Sequence, residues 1–192
     1  MSAILTIPPA LEPLSLPEVK AHLKVDTILD DDLLTRLILT ARQQVESLID
    51  KVLISQSWKI YLDNWPADGE IKLPVCPVMQ VDDLRTYSAD DIAAVVDPSH
   101  YYVDLAATPQ RLVLRGSRTW LKPGRSANGI EIEVTAGYGS DGDSVPAPLR
   151  EAMLLLIAQW YENRQPDCES HPSTPVPAIL QQLFAPYKKV RL

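Results

Sequence analysis

Helical periodicity dominates the N-terminal part of the chain. Ser15 with Glu18 three residues later is a capping-box pattern, which predicts a short helix from residue 16 to about residue 24. The acidic run 30–32 predicts the start of a longer helix, because the exposed N–H groups and the positive dipole at a helix N-terminus favour negative charge. The apolar residues that follow recur at three- and four-residue steps and form one helix face: Leu33, Leu34, Leu37, Ile38, Ala41, Val45, Leu48 and Ile49.

The same periodicity returns towards the C-terminus. Pro146 and Pro148 suit the first turn of a helix, where a missing N–H costs little. The stripe that follows is widened by further apolar residues, so this helix is predicted to be buried on more than one side. Residues 165–177 contain four prolines and predict an exposed loop before a last short helix at about residues 178–184. The stripe consists of Leu149, Met153, Leu156, Ile157 and Trp160, and the widening residues are Leu154, Leu155 and Tyr161.

Between these helical regions the apolar pattern changes to a period of two. Trp58, Ile60 and Leu62 alternate with Lys59 and Tyr61, which is typical of a strand. Clusters of Pro, Gly, Asp and Ser separate the further strand candidates, so we expect hairpins and an antiparallel sheet rather than β-α-β units. These candidates are residues 71–73, 78–87, 101–105, 111–115 and 130–136.

The order of helices, strands and helices predicts an α+β fold. We expect a small helical core of about four helices, drawn from both ends of the chain, with an inserted antiparallel β lobe. The prolines at positions 8, 9 and 13 disfavour a helix or a central strand, so the N-terminus is predicted to be an extended arm. The boundaries are 1–14 for the arm, 15–52 and 145–186 for the helical core, 53–144 for the β lobe and 187–192 for a basic C-terminal tail.

Composition and charge restrict the classes of function. The chain has 192 residues, 46% of them hydrophobic, which is enough for a packed core. Its longest apolar run is far shorter than the roughly 20 residues that a membrane span requires, so no membrane association is expected. The net charge of −7 disfavours binding to nucleic-acid phosphates. It is compatible with a protein that DNA passes without specific binding.

One segment has the spacing of a nucleotide-binding loop. Residues 137–142 read G-x-G-x-x-G between a predicted strand and a predicted helix. Asp141 and Asp143 would repel a pyrophosphate, and Pro146 and Pro148 remove N–H donors from the next turn. We therefore interpret the segment as a hinge, and we predict no cofactor, no metal site and no catalytic residue. A nucleotide-binding enzyme is the least favoured alternative.

A basic segment is a candidate interaction surface. No acidic residue occurs between positions 105 and 130, where five cations and a tryptophan do: Arg111, Arg115, Arg118, Trp120, Lys122 and Arg125. One interpretation is a solvated hairpin with its aromatic side chain packed on the sheet. The other is a contact surface for an acidic neighbour, because Arg and Trp are enriched in interface cores. Residues 30–32, 82–83 or 90–91 of the next identical subunit are candidate partners in such a ring contact.

The C-terminal tail is a second candidate surface. Tyr187, Lys188, Lys189 and Arg191 follow the last predicted helix. A frayed terminus is one interpretation of this segment. The other is a docking arm that becomes ordered when it binds a partner.

Several framework segments also occur in an order that is typical of one protein family. Residues 14–26, LSLPEVKAHLKVD, are followed by the acidic helix start and the apolar helix 33–46, then by Trp58 with Tyr61-Leu62 and by Leu73-Pro74. The most specific segments are VTAGYG at 134–139, VPAPLR at 145–150 and WYENR at 160–164. Together they resemble the head–tail connector, or adaptor, proteins of long-tailed bacteriophages. One departure is Asp50-Lys51-Val52, where such proteins often carry Thr-Gly-Arg. This difference affects the predicted C-terminal end of the long helix.

This resemblance implies a structural virion protein rather than an enzyme. The family forms a ring of about twelve identical subunits under the portal protein, extends the DNA channel and joins the capsid to the tail. C-terminal segments of the family reach towards the portal, so Tyr187, Lys188, Lys189 and Arg191 would lie there. Stopper or tail-completion proteins would bind the other side, and assembly would take place in the cytoplasm of the bacterial host. Another virion completion protein, such as a stopper, is the second alternative.

Overall fold

The computed structural model describes residues 1–116, 119–163 and 178–188, and the chain divides into two units. Met1–Pro9 and Ser55–Tyr138 form one unit, here called the strand unit, and Ala10–Ile54 and Gly139–Leu192 form the other, here called the helical unit. The described α-helices all belong to the helical unit, and the described strands all belong to the strand unit. The predicted α+β fold with antiparallel sheets is confirmed.

Helices from both ends of the sequence pack together in the helical unit. Helix α2 packs against α3, α1 contacts both of them, and α4 packs against α3. Four residues of the main stripe of α3, Leu149, Met153, Leu156 and Ile157, are buried, and so is the widening residue Leu154. Trp160, Leu155 and Tyr161 are half-buried. The helices are α1 (Leu16–Leu23), α2 (Asp31–Ile49), α3 (Ala147–Glu162) and α4 (Ala178–Phe184).

The helix starts use polar groups differently from the simple capping pattern. The Ser15 hydroxyl accepts a hydrogen bond from the Glu18 N–H at 3.3 Å, which is one of the two bonds of the predicted capping box. The Glu18 carboxylate, in contrast, pairs with Arg150 at 2.7 Å and so ties α1 to α3. Asp30 precedes α2 but makes no side-chain capping bond. Its carboxylate instead accepts a hydrogen bond from the Tyr161 hydroxyl at 2.7 Å. Tertiary partners therefore take over groups that sequence assigns to local caps.

The long helix ends cleanly despite its unusual sequence. Helix α2 stops at Ile49, and Asp50 adopts the left-handed conformation with φ 55°. The Asp50 N–H donates to the Glu46 carbonyl, which closes the last turn as a glycine would. The Leu53 N–H donates to the Glu46 side chain at 2.9 Å, so the chain leaving the helix is held as well.

The strand unit contains two antiparallel sheets. The five-stranded sheet has the order β1-β2-β8-β4-β5, and the three-stranded sheet has the order β3-β7-β6. The strands are β1 (Ser2–Ile7), β2 (Gln56–Leu62), β3 (Glu70–Lys72), β4 (Val78–Tyr87), β5 (Ala93–Val95), β6 (Tyr101–Asp104), β7 (Arg111–Leu114) and β8 (Ile130–Ala136).

The last strand in sequence occupies the centre of the larger sheet. Ile132 on β8 lies opposite Ile60 on β2 and Leu84 on β4, and all three side chains are fully buried. Because side chains alternate between faces, Glu131 and Glu133 point to the reverse face of the same strand. One face of β8 therefore forms the core, and the other carries charge.

Three features of the strand unit differ from the sequence-based expectation. Residues 2–7 of the predicted extended arm form an edge strand paired with β2, and Pro8 and Pro9 follow its end. Strand β5 is not predicted, because a strand of three residues is too short to show an alternating apolar pattern. Strand β8 pairs with β2 and β4, which are remote in sequence, instead of completing a local hairpin. Long-range pairing is decided by the shared apolar face, which local spacing does not encode.

Candidate functional site

The basic segment begins with an arginine that is neutralised inside its own sheet. Arg111 on β7 donates from Nε to Asp104 Oδ2 at 3.0 Å and from Nη1 to Glu70 Oε2 at 2.7 Å. The hydrogen bond from Arg111 lowers the pKa of Asp104, and the bonds to Asp104 and Glu70 raise the pKa of Arg111. The three residues come from β7, β6 and β3, so the cation crosslinks the three-stranded sheet.

Two further arginines of this segment also find partners within the strand unit. Arg115 donates from Nε to the Tyr101 carbonyl at 2.7 Å, and its guanidinium lies 5.9 Å from the centre of the Tyr102 ring. Arg125 is hydrogen-bonded to Asp91 and lies 4.1 Å from the centre of the Tyr87 ring. Both side chains combine a polar contact with an aromatic face, an arrangement that suits the planar guanidinium.

Trp120 packs against other aromatic side chains of the strand unit. Its ring is stacked on Trp65 with centroids 4.2 Å apart and planes 7° apart, and Tyr101 lies 6.3 Å away. Both tryptophans pack against the buried apolar cluster of the sheets. Trp65 Nε1 donates to the Leu121 carbonyl at 2.6 Å, whereas the buried Trp120 Nε1 has no hydrogen-bond partner among the described residues. This packing agrees with the interpretation of an aromatic side chain tucked onto the sheet.

Two of the candidate acidic partners are paired with cations of their own chain. Asp91, a candidate partner on a neighbouring copy, pairs with Arg125 of its own chain. Asp31 likewise pairs with Lys20 at 2.6 Å. Lys122 is exposed, and Arg118 lies outside the described residues. An interaction role for the basic segment stays a prediction, with fewer uncompensated charges than the sequence suggests.

Only part of the candidate C-terminal surface falls within the described residues. The Tyr187 N–H and the Lys188 N–H donate to the Phe184 carbonyl, at 2.9 and 3.1 Å, so both residues continue directly from the end of α4. Phe184 is 1% exposed and anchors this end in the helical core, while Lys188 is exposed. Lys189 and Arg191 lie outside the described residues.

A buried glutamate on the central strand was not singled out by the sequence. Glu131 is only 5% exposed, and it accepts hydrogen bonds from Lys59 Nζ and the Tyr87 hydroxyl, both at 3.0 Å. Arg85 lies 3.5 Å from the same carboxylate. Burial alone would raise the pKa of Glu131, but the hydrogen bonds from Lys59 and Tyr87 and the charge of Lys59 outweigh it and lower the pKa.

This cluster joins three strands of the five-stranded sheet. Lys59 belongs to β2, Glu131 to β8, and Arg85 and Tyr87 to β4. The hydrogen bond to Glu131 is the main cause of the raised pKa of Lys59, and burial followed by the bond to Glu131 raises the pKa of Tyr87. The alternation of Glu131 and Glu133 with isoleucines is visible in the sequence, but their cations become visible only through strand pairing. Lys59 and Tyr87 both donate hydrogen bonds to the Glu131 carboxylate, an arrangement that links the strands and stabilises the sheet.

A second buried charge lies in the helical unit. Arg42 on α2 is 5% exposed, and it donates to Glu12 Oε2 and Glu46 Oε2, both at 2.8 Å. Glu12 precedes α1, so Arg42 fastens the chain leading into the first helix to the second helix. The Glu46 carboxylate also accepts a hydrogen bond from the Leu53 N–H, so it fixes the segment after α2 as well. This network fixes the framework, because each of its groups is paired.

The glycine-rich segment has a packing function in the structure. A side-chain Cβ at Gly142 would lie 2.5 Å from the Pro13 carbonyl oxygen, and one at Gly139 would lie 2.3 Å from the Ser144 side chain. Asp141 accepts hydrogen bonds from the Ser144 N–H at 3.0 Å and the Ser144 hydroxyl at 2.9 Å. Glycine is therefore required at both positions by the close approach of neighbouring protein atoms.

Two surface grooves lined by described residues each contain a paired acid and base. One groove of about 450 Å³ beside α1 includes Lys20 and Asp31, which pair with each other. Another of about 450 Å³ includes Asp91 and Arg125, which also pair. In the described ranges, no three His, Cys, Asp or Glu side chains are grouped so as to hold a metal ion. None of the described helices has the length and apolar character needed to cross a membrane.

The fold is similar over nearly its whole length to chains of gene transfer agent particles. A chain from the neck of an empty particle, computed with C6 symmetry, superposes with a TM-score of 0.82 and 25% identity, covering 100% of this chain and 97% of that one. A chain from the virion of a native particle gives a TM-score of 0.81, 24% identity and coverage of 100% and 97%. A chain from the neck of a native particle, computed with C12 symmetry, gives a TM-score of 0.75 and 26% identity. This match covers 98% of the present chain and 97% of the other.

No protein-family model matches the sequence, and no curated protein matches it significantly. The structural similarity is therefore the informative comparison. It supports a structural protein of the neck of a phage-like virion. The arrangement of paired charges and packed aromatics described above is that of a framework, in keeping with this class.

Proposed function

We propose that this chain is a head–tail connector, or adaptor, in the neck of a tailed phage or phage-like particle. In this role it forms a ring under the portal protein, extends the DNA channel and joins the capsid to the tail. The observation that carries the proposal is the full-length structural similarity to neck chains, with both proteins covered almost completely. Shared architecture over the whole length is stronger support than a shared single domain, because fold alone is a poor guide to function.

A ring of identical subunits is supported by the symmetry of the similar structures. Two of them are necks computed with C6 and C12 symmetry. Closed cyclic assemblies need a surface patch that binds a different patch on the next copy. The present chain would supply both patches, and the ring would contain about twelve copies, as the adaptor resemblance implies.

The charge of the chain fits a channel component that DNA passes. A net charge of −7 provides no electrostatic attraction for phosphates. Arg111, Arg115 and Arg125 are also engaged within the strand unit, which leaves them less available to bind DNA. The proposal therefore includes no specific DNA binding, no cofactor and no catalysis, and it places assembly in the cytoplasm of the bacterial host.

Reconstitution with the cognate portal tests the proposal. The full chain is incubated with purified portal rings, and the complexes are imaged by electron cryomicroscopy. A ring of additional density on the tail-facing side of the portal is the expected result. Binding only after another protein has covered the portal would favour a stopper or tail-completion role, and no binding in either arrangement would contradict a neck function.

The C-terminal tail is proposed to contact the portal. Tyr187 and Lys188 are hydrogen-bonded to the Phe184 carbonyl, and Phe184 is buried in the helical unit, so the tail starts from a fixed point. Replacement of Lys188, Lys189 and Arg191 by Glu should abolish portal binding if these cations face acidic portal groups. The matched control replaces Lys24, Arg36 and Lys72 by Glu, which changes the net charge equally at exposed positions elsewhere. Equal loss of binding in both variants would refute a specific tail contact.

A further inference from the structure

The N-terminal strand presents an open apolar edge. All six residues of β1 are exposed, including Ile4 at 54% and Ile7 at 59%. Strand β1 pairs with β2 on one side, and no described strand pairs with its other side. The segment from Met1 to Ile7 carries no charged side chain and no proline. Such an edge is a ready template for another strand, and proteins normally block it with charge, proline or a bulge turned outward.

The opposite edge of the same sheet has the same character. Strand β5 is exposed at all three positions, and its Val95 is 61% exposed. Ile92, just before the strand, is 67% exposed. Residues 92–96 include no charged side chain and no proline. The β1–β2 register is irregular between Leu5 and Ile7, so the regular part of the open β1 edge is Ser2–Leu5. Neither this part of β1 nor β5 carries a blocking charge or proline.

The smaller sheet of the same unit provides an internal comparison. Its edge strand β3 carries Glu70 and Lys72, and its other edge strand β6 carries Asp104. Charged side chains on edge strands oppose pairing with a further strand. The absence of charge from β1 and β5 is thus a local property of one sheet within the strand unit.

We infer that β1 of one subunit pairs with β5 of the next subunit, so that the five-stranded sheets of neighbouring copies are continuous. This inference rests on the proposed ring and names its subunit contact. Each strand of the sheet is antiparallel to its neighbour, so β1 and β5, the first and fifth strands, run in the same direction. Rotation about a ring axis lying along the strands preserves this direction. In such a ring the inferred contact is a parallel pairing.

A second copy of the chain is the occupant that fits both edges at once. A cyclic ring requires one patch to meet a different patch, and the two uncharged edges of one sheet meet that requirement. Pairing of β1 with a second β1 would need a two-fold axis and would stop at a dimer. Because β5 has only three residues, the contact is short and sets the register of the ring alongside other contacts.

Disulfide trapping in assembled particles tests this contact. The background is Cys76→Ser with Cys168→Ser, and the double variants combine a cysteine on β1 with one on β5 in the same chain. Adjacent strands lie about 4.8 Å apart, within the Cα separation that a disulfide spans. The particles are oxidised intact, and their proteins are separated on a non-reducing gel. The panel places cysteine at Ala3, Ile4 or Leu5 together with Ala93, Ala94 or Val95, with each single variant as control.

The expected result is a ladder of covalent multimers larger than dimers in at least one double variant and in no single variant. Dimers in the β1 single variants would instead indicate two-fold pairing of β1 with β1. A disulfide to a different virion protein would assign the edge to that protein. Necks that contain the ring but give no intersubunit disulfide with any pair would also overturn the inference. Necks that lack this chain would instead contradict the proposed function.

A substitution pair provides an independent measurement. Ile4→Lys puts a charge on the open edge of β1, and Ile28→Lys makes the same change at an isoleucine of the helical unit that is 78% exposed. Ile4→Lys should reduce incorporation of the chain into necks at least tenfold, and Ile28→Lys should leave incorporation unchanged. Since both side chains are more than half exposed, neither change opens the core. Equal incorporation of both variants, or a larger loss with Ile28→Lys, would count against the edge contact.

Discussion

Replacement of Arg42 by alanine tests whether the buried ion network holds the helical unit together. The Arg42 side chain is 6% exposed and makes two charged hydrogen bonds of 2.8 Å, to Glu12 and to Glu46. Its removal leaves the Glu46 carboxylate, 17% exposed, without its cation, and it detaches the segment before α1. Breaking a buried pair by removing one partner costs about 3–5 kcal/mol. A loss of this size is a large share of the stability of an ordinary domain.

Urea unfolding followed by far-ultraviolet circular dichroism measures this effect. The free energy of unfolding in water is obtained by linear extrapolation for the wild type, Arg42→Ala and the control Arg36→Ala. Arg36 lies on the same helix but is exposed, so its replacement should change the free energy of unfolding by no more than about 0.5 kcal/mol. If Arg42→Ala were as stable as the control, the network would not be a determinant of stability and this reasoning would be wrong.

Three further predictions concern other parts of the framework. The pKa of Glu131 is lowered in the folded state, so its ionised form stabilises the protein above the unfolded pKa of about 4.3, and this contribution is lost as the pH falls through the folded pKa. Glu131→Gln should therefore flatten the acid limb of a plot of unfolding free energy against pH. Gly142→Ala should cost about 1–3 kcal/mol, measured by urea unfolding, because its Cβ meets the Pro13 carbonyl oxygen. Lys24→Gly should raise the free energy of unfolding by about 0.5–1 kcal/mol and raise Tm, because Lys24, the residue directly after α1, has the left-handed φ of 56° that favours glycine.

Each of these predictions has a contrary outcome. An acid limb unchanged by Glu131→Gln would show that the carboxylate does not contribute through its ionisation. The control for Gly142 is Gly69→Asn, at a position with open space around it, and equal losses at both sites would refute the packing explanation. A Tm lowered by Lys24→Gly would mean that the left-handed residue is not strained enough to matter.

The candidate surface was only partly accessible to sequence reasoning. The spacing of Arg111, Arg115 and Arg125 and the absence of acids around them are visible in the sequence. Their partners, such as Asp104 and Asp91, lie on other strands and depend on how the sheets pair. A sequence-based charge count therefore overstates the free positive charge of this segment.

Buried charges show the same limit more clearly. Arg42 and Glu46 are four residues apart on one helix, so their pairing follows from helical geometry. Glu12 and Leu53 join them only when the unit folds. Glu131 and Lys59 are separated by 72 residues, and no local pattern connects them.

The sequence by itself determined the helices, most of the strands and the α+β class, because each depends on the period of apolar residues over a short window. It also indicated that the glycine-rich segment 137–142 is unfavourable for a phosphate, since Asp141 lies within the segment and Asp143 directly after it. The tertiary structure alone decided that β8 is the central strand and that residues 2–7 form an open edge. The physical reason is that strand pairing is chosen by burial of a common apolar face between segments remote in sequence, whereas periodicity records only which face each segment has to bury.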